Sequence, residues 1–307
     1  MVRTAIILAA GMGVRLKERG RLTPKGCLCL GEKSILEESI VQLLAVGIQR
    51  IVIVTGYLAE QFEPLQARYR GAVQLVHNPH FADSGSMYSL YCARHCVDED
   101  FLLLESDLVY ERRALTTCLE HPSDNVVLLA GFSNTSDEVF VETRNGRLVA
   151  ISKSREHLGS EIPGEFVGIC KISRSLFTVM LDTAAQRFGA TRHMDYETDC
   201  LVAAARVMPV SCHVVEDLIW CEIDDESHLA RARNQIYPTV RETDVLDRLR
   251  FSGRTKVSPQ AVIGHREAID TLGCRSPISD KFERDSCKPT QPGKSTGMNE
   301  GYREKQT

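Results

Sequence analysis

The first 25 residues constrain this chain more than any other stretch. Ala5-Ile6-Ile7-Leu8-Ala9-Ala10 is an apolar run of strand length that narrows to small side chains. Gly11-Met12-Gly13-Val14-Arg15-Leu16 follows directly, and Thr23-Pro24-Lys25 comes soon after. Small residues let a backbone approach a ligand closely, and successive N–H groups in such a loop form an anion nest. Arg15 and Lys25 add positive charge to the same mouth. Together these residues imply a triphosphate site built from Leu8, Ala10, Gly11, Met12, Gly13, Arg15 and Lys25. A buried strand that merely turns through its glycines would show the same Gly-x-Gly, so that pair alone decides nothing. The chain has no G-x-x-x-x-G-K-[ST], and the stretch lacks the third glycine and ribose-binding acid of a dinucleotide fingerprint.

Downstream, strand-like and helix-like segments alternate. Ser34 and Glu37 form a capping box that opens a helix with Ile35, Leu36, Ile40, Leu43 and Leu44 inward and Gly47 at its close. Residues 51–55 are continuously apolar, as in a strand covered on both faces. A helix carrying Leu58, Phe62 and Leu65 leads to a strand at 73–77. A polar turn from Asn78 then enters a helix over 87–95, with Ser84 or Ser86 as its N-cap. Residues 101–107 form a fourth buried strand ending in Asp107. This order implies right-handed crossovers and a doubly wound, mostly parallel Rossmann-like α/β sheet. Ligands bind such sheets at the carboxyl ends of strands, which puts Asp107 on the edge that carries the glycine loop. Strands at 126–131 and 138–142 follow, and Arg144-Asn145-Gly146-Arg147 is a hairpin turn. Its returning strand delivers Lys153, giving a small hairpin subregion beside the sheet. A strand at 164–173, a helix at 176–188, a helix opened by Asp195-Tyr196-Glu197, a strand at 218–224 and a charged helix at 225–234 complete the pattern.

Composition narrows the class. With 307 residues, 43% of them hydrophobic and 25% charged, the chain has ample core for one large α/β domain or two smaller ones. A net charge of −4 gives no reason to expect nucleic acid as a partner. No apolar stretch approaches the ~18 residues of a membrane span, and no leader precedes the first strand, so a cytoplasmic protein is expected. Eleven cysteines, an odd number in a long chain, are expected to be reduced thiols. Cys27 and Cys29 alternate with Leu28 and Leu30 as in a strand. Cys92 and Cys96 beside His95 have metal-ligand spacing, but no second pair follows, so the cysteines are read as structural. The expected division is a catalytic domain at 1–238 and a linker or tail at 239–307, largely disordered from 276 onward.

The glycine loop with Arg15 and Lys25 resembles the L-A-A-G-x-G-x-R-L…P-K signature of the nucleotidyltransferases that act on sugar phosphates and phosphocholine. The resemblance spans roughly residues 4–237 and includes Ser106-Asp107 and Trp220-Cys221-Glu222-Ile223-Asp224. By themselves, two strand-end aspartates are a hard oxygen pair suited to Mg²⁺, and either alone would serve as a helix cap. The resemblance implies the nucleotide-diphospho-sugar transferase fold, Asp107 and Asp224 as Mg²⁺ ligands, and Lys25 as a catalytic lysine assisted by Arg15 and Lys153. It implies Ser84, Gly85, Ser86 and Ser106 at the nucleotide. Stretches 85–91, 103–107 and 220–225 are similar to the 2-aminoethylphosphonate cytidylyltransferases. That branch implies transfer of CMP from CTP to 2-aminoethylphosphonate with release of pyrophosphate. Lys153 would meet the acceptor's phosphonate, and Asp195, Tyr196, Glu197, Trp220 and Glu222 would surround its ammonium end. Phosphocholine is the alternative acceptor, but a single tryptophan and 6% aromatic content argue against a cation–π cage. A sugar-1-phosphate acceptor and a non-catalytic nucleotide-binding relative are the other readings. A homodimer is compatible with all of them.

Overall fold

The computed structural model describes residues 2–133, 135 and 138–251, and side chains as far as residue 245. Strand β1 (Thr4–Ala9) leads through the glycine loop to helix α1 (Lys17–Leu22) and a short 3₁₀ turn at Lys25–Cys27. Helix α2 (Ile35–Ala45), strand β2 (Arg50–Thr55), helix α3 (Glu63–Arg68), strand β3 (Val73–His77), helix α4 (Ser86–Cys92) and strand β4 (Phe101–Glu105) follow in alternation. Next come β5 (Leu108–Tyr110), α5 (Arg113–Glu120), β6 (Val126–Ala130) and the hairpin β7 (Phe140–Arg144) and β8 (Arg147–Ser152). The chain continues through β9 (Gly164–Ile172), α6 (Arg174–Phe188), a π-helical turn at Tyr196–Leu201 and α7 (Val202–Ala205). Strands β10 (Ser211–Val215) and β11 (Trp220–Glu222), helix α8 (Glu226–Arg231) and helix α9 (Tyr237–Phe251) complete it. No helix among the described residues is long and apolar enough to cross a membrane.

Among the described residues, nine strands form one sheet in the order β3-β2-β1-β4-β9-β6-β10-β8-β7. The β1–β2, β1–β4, β2–β3 and β6–β10 pairs are parallel. β9 runs antiparallel between β4 and β6 and breaks the parallel half from the rest. Continuous apolar runs mark strands buried on both faces, and β1 shows it: Ala5, Ile7 and Ala9 pack into one core layer and Ile6 into the other. α2 supplies Leu36, Ile40 and Leu43 to the first layer. α4 and α6 supply Met87, Leu90, Phe177 and Met180 to the second. β5 and β11 lie apart as a two-stranded antiparallel ladder.

Several expectations are revised. Cys27 and Cys29 are not in a strand. Pro24 is extended (ψ 147°) and the backbone then tightens through Lys25–Cys27, with the Cys27 N–H donating to the Pro24 carbonyl at 2.9 Å. Neither Ser84 nor Ser86 caps α4. Gly85 holds the cap position, because the Ser84 hydroxyl accepts from Asn78 (3.1 Å) and the Ser86 hydroxyl accepts from the Tyr196 N–H (2.9 Å). That helix ends at Cys92, so Cys96 shares no helical face with it. The fourth strand stops at Glu105, leaving Asp107 in the turn to β5. The capping box is half made: Ser34 Oγ accepts from the Glu37 N–H at 3.1 Å, while the Glu37 carboxylate takes Arg68 (2.6 Å) and Tyr69 (2.9 Å) instead. α9 runs past residue 238, and Tyr237 donates from its hydroxyl to Glu38 on α2 at 2.8 Å. The tail expected from 276 lies outside the described residues. The described cysteines are free thiols.

Loss of a serine N-cap costs about 1 kcal/mol. Ser34→Ala is therefore expected to lower the unfolding free energy read from urea titration by that amount, with the midpoint falling at unchanged slope, and to leave nucleotide affinity unchanged.

Candidate active site

The carboxyl ends of β1 and β4 open into a cleft of about 400 Å³. The glycine loop forms one wall. Gly13 adopts φ 58°, and the space its missing side chain leaves is taken by Lys25, whose Cγ lies 3.3 Å from the Cβ position. Nothing lies within 4 Å of the corresponding position at Gly11, which faces the open cleft. Leu8, Ala10, Gly11, Gly13 and Arg15 all line this wall, but Met12 does not and is 39% exposed.

Lys25 lies on the floor. Its ammonium donates to Asp107 Oδ2 at 2.8 Å and to Asp224 Oδ1 at 2.5 Å. Arg15 also pairs with Asp224. The β5–β11 ladder brings these carboxylates together: Glu222 pairs with Leu108, and the Ile223 N–H donates to the Asp107 carbonyl at 3.0 Å. Asp107 immediately precedes β5 and Asp224 lies just beyond β11, so the ladder's register sets their separation. Burial opposes the Lys25 charge, yet the two carboxylates outweigh it and hold the ammonium above the ordinary lysine value. Burial likewise opposes the Asp224 charge, but Lys25, Arg15 and Lys153 together keep this carboxyl below the usual range.

The opposite end of the cleft is acidic. The Gly85 N–H donates to the Arg192 carbonyl (2.9 Å) and the Met87 N–H to the Met194 carbonyl (3.0 Å), lacing the Ser84–Ser86 loop to the Asp195 segment. Ser84, Gly85, Ser86, Asp195, Tyr196 and Glu197 line this end, with Lys153 reaching in from the end of the hairpin. The Ser86 hydroxyl lies 3.3 Å from both Asp195 Oδ1 and Glu197 Oε2. Burial and the neighbouring Asp195 charge push Glu197 up to about 7. π-Helical turns such as Tyr196–Leu201 occur often at functional sites.

One residue that the motif reading passed over stands between the two ends. Glu105 lines the cleft beside Ser106 and Asp107 and accepts a hydrogen bond from the Tyr196 hydroxyl at 2.9 Å. Its signal was its place as the last residue of an apolar strand, two residues before Asp107. Burial and the charges of Glu197 and Asp107 push it up to about 8. Trp220 and Glu222 do not line the main cleft. They line a smaller adjoining cavity with Glu165 and Arg231. Trp220 alternates away from Cys221 along β11 and packs against the first core layer.

Glu105, Asp107 and Glu222 each place a carboxylate oxygen within 4.8 Å of the others. Burial and repulsion from Asp107, Glu105 and Asp224 push Glu222 up to about 10. An all-oxygen donor set under such mutual repulsion fits a hard divalent cation, which would relieve it. Asp107 belongs to this group. Asp224 does not, because the Lys25 ammonium separates it from Asp107.

The MobA-like NTP transferase domain matches residues 5–192. The CMP-5'-(3-aminopropyl)phosphonate synthase of Streptomyces rubellomurinus is 27% identical over 80% of this chain and 40% of its own length. The 2-aminoethylphosphonate cytidylyltransferase of Lancefieldella rimae is 34% identical over 48% of this chain and 60% of its own length. The chain thus spans about two fifths and three fifths of these relatives. The CTP:phosphocholine cytidylyltransferase of Streptococcus pneumoniae has the same fold, with TM-score 0.62, 21% identity, 76% of this chain covered and 98% of that one.

The acid cluster generates a pH dependence. Glu222 sits at about 10 in the folded protein against an ordinary 4.5, so across that window the folded state keeps a proton that the unfolded chain has released. Stability then falls as pH rises through the window. In metal-free buffer, Glu222→Gln is expected to unfold at the wild-type temperature near about pH 5 and at a higher temperature near about pH 9. Parallel pH profiles for the two proteins would contradict this.

Proposed function

The chain belongs to the MobA-like NTP transferase family, and from that premise we propose that it is a Mg²⁺-dependent cytidylyltransferase acting in the cytoplasm. It transfers CMP from CTP to 2-aminoethylphosphonate, giving CMP-2-aminoethylphosphonate and pyrophosphate. The observation that carries this reading is the Lys25 ammonium, held between Asp107 and Asp224 beneath the glycine loop.

In this reaction a phosphonate oxygen attacks the α-phosphorus of CTP, a new P–O bond forms, and the bond to the β-phosphate bridging oxygen breaks. The protein's task is positioning and charge stabilisation. Arg15 and the backbone of Gly11 and Gly13 hold the triphosphate. Arg15 exchanges Asp224 for phosphate as the nucleotide enters. Lys25 donates to the α-phosphoryl oxygens as charge builds in the transition state. Ser84, Gly85 and Ser86 face the base, and Ser106 lies beside the ribose end. Lys153 neutralises the acceptor's phosphonate and orients its oxygen. Asp107 and Glu222, joined by Asp224 once Lys25 turns from between the two aspartates to the phosphates, would hold Mg²⁺, which supplies charge neutralisation on the phosphates. The catalytic domain in this reading runs through α9, to residue 251.

The acceptor choice rests on the lining of the acidic end. Glu105, Asp195 and Glu197 line the cleft, whereas Phe81 and Tyr196 are its aromatic members among the described residues. A primary ammonium needs hydrogen-bond acceptors, and a quaternary one needs an aromatic cage.

Pyrophosphate release from CTP is the direct test, with 2-aminoethylphosphonate and phosphocholine as competing acceptors. Faster release with the aminophosphonate is expected, and preference for phosphocholine would transfer the assignment to that acceptor. Release with neither, with Mg²⁺ present, would overturn both. Lys25→Ala is expected to lower kcat by roughly 10²-fold or more while changing CTP affinity far less. Equal losses in the two would make Lys25 a binding residue only.

A further inference from the structure

The fold makes particular room for the Glu105 carboxylate. The pairing of β6 with β9 shifts register between Val127 and Leu129, whose partners are Cys170 and Phe166. Gly168 lies within that irregularity at φ 81°, a conformation that L side chains rarely adopt. A Cβ at Gly168 would lie 3.3 Å from the Glu105 carboxyl carbon, 3.4 Å from Oε2 and 3.2 Å from Leu108 Cδ1. The bulge thus keeps one side of the carboxylate clear. On its other side the fully buried Tyr196 hydroxyl donates to Oε1 at 2.9 Å.

One oxygen of Glu105 is therefore fixed and the other keeps its acceptor capacity. Among the described residues Tyr196 provides the one hydrogen bond to this carboxylate. The Lys25 ammonium is already engaged by Asp107 and Asp224. An enclosed carboxylate facing a cleft without a cationic hydrogen-bond partner of its own is costly until a ligand brings one.

We propose that Glu105 is the specificity-determining residue for the acceptor's cationic end, accepting an N–H from a primary ammonium while the acceptor's phosphonate lies by Lys25 and Lys153. The proposal rests on the reading of the acceptor as an aminoalkyl phosphonate. A primary ammonium offers three N–H donors, a quaternary ammonium none, and an acceptor without the amine leaves Glu105 unmatched. Glu105 acts here on the choice of acceptor and takes no part in the bond exchange at phosphorus.

The experiment compares kcat/KM for 2-aminoethylphosphonate with that for ethylphosphonate, in wild type and in Glu105→Gln, with CTP and Mg²⁺ held saturating. Wild type is expected to favour the amine strongly. Glu105→Gln is expected to reduce that preference by roughly tenfold or more, with little change in the KM for CTP. Because the readout is a ratio, a loss that falls equally on both acceptors, as damage to metal binding would produce, overturns the proposal. Absence of any wild-type pyrophosphate release with an aminoalkyl phosphonate overturns the function proposed above. Wild-type activity with an unchanged ratio in Glu105→Gln overturns the role of Glu105 alone. If Glu105→Gln no longer binds CTP, Tyr196→Phe reads the same ratio through the loss of the 2.9 Å bond to Oε1. A fall in the ratio supports the proposal, and an unchanged ratio overturns it.

Discussion

Lys25 is enclosed on the cleft floor with its ammonium between Asp107 and Asp224, and an enclosed charge is tolerated there because both carboxylates face it. The three residues come from three separate places: the turn after α1, the turn between β4 and β5, and the end of β11. Their meeting depends on the Lys25–Cys27 turn packing beneath the glycine loop and on the β5–β11 ladder holding the two aspartates in register. Removing Lys25 would leave the two carboxylates facing each other in a confined space without the cation between them. This contact therefore ties the N-terminal strand–loop unit to the C-terminal strand that closes the site.

Charge is distributed unevenly along the cleft. At the basic end Lys25 and Arg15, with Lys153 acting from the hairpin, hold the Asp224 carboxyl below the usual range. At the other end burial and the Glu197 charge raise Glu105, and burial and the Asp195 charge raise Glu197. In the proposed reaction the asymmetry corresponds to the two substrates. The triphosphate brings negative charge to the basic end, and the aminophosphonate brings an ammonium to the acidic end. Ser86 ties this acidic end together, since its hydroxyl accepts from the Tyr196 N–H and lies 3.3 Å from both Asp195 and Glu197.

Much of this was legible in the linear chain because it is local. The strand–loop of residues 4–16 announces itself through apolar length followed by small residues, and β2, β3 and β6 lie within a residue of where continuous apolar runs put them. The Asn145-Gly146 turn follows from two residues that tolerate positive φ, here 53° and 69°. Cys27 and Cys29 misled because alternation over four residues is compatible with a strand, while the real determinants are Pro24 and the pull of Lys25 towards its carboxylates. Glu105 lies within the 103–107 stretch, but nothing local assigned it a role. Its meaning comes from Tyr196, 91 residues away, and from a bulge in a strand that pairs with its own.

By itself the sequence determined the alternation of strands and helices, the glycine loop and the residue types at the mouth of the site, since these depend on propensity and on periods of a few residues. Only the tertiary structure decided that β9 enters antiparallel between β4 and β6, that Lys25 separates Asp107 from Asp224, and that Trp220 turns away from the cleft. These are outcomes of long-range register, which is set by how buried faces of distant segments fit together. No local pattern encodes that fit.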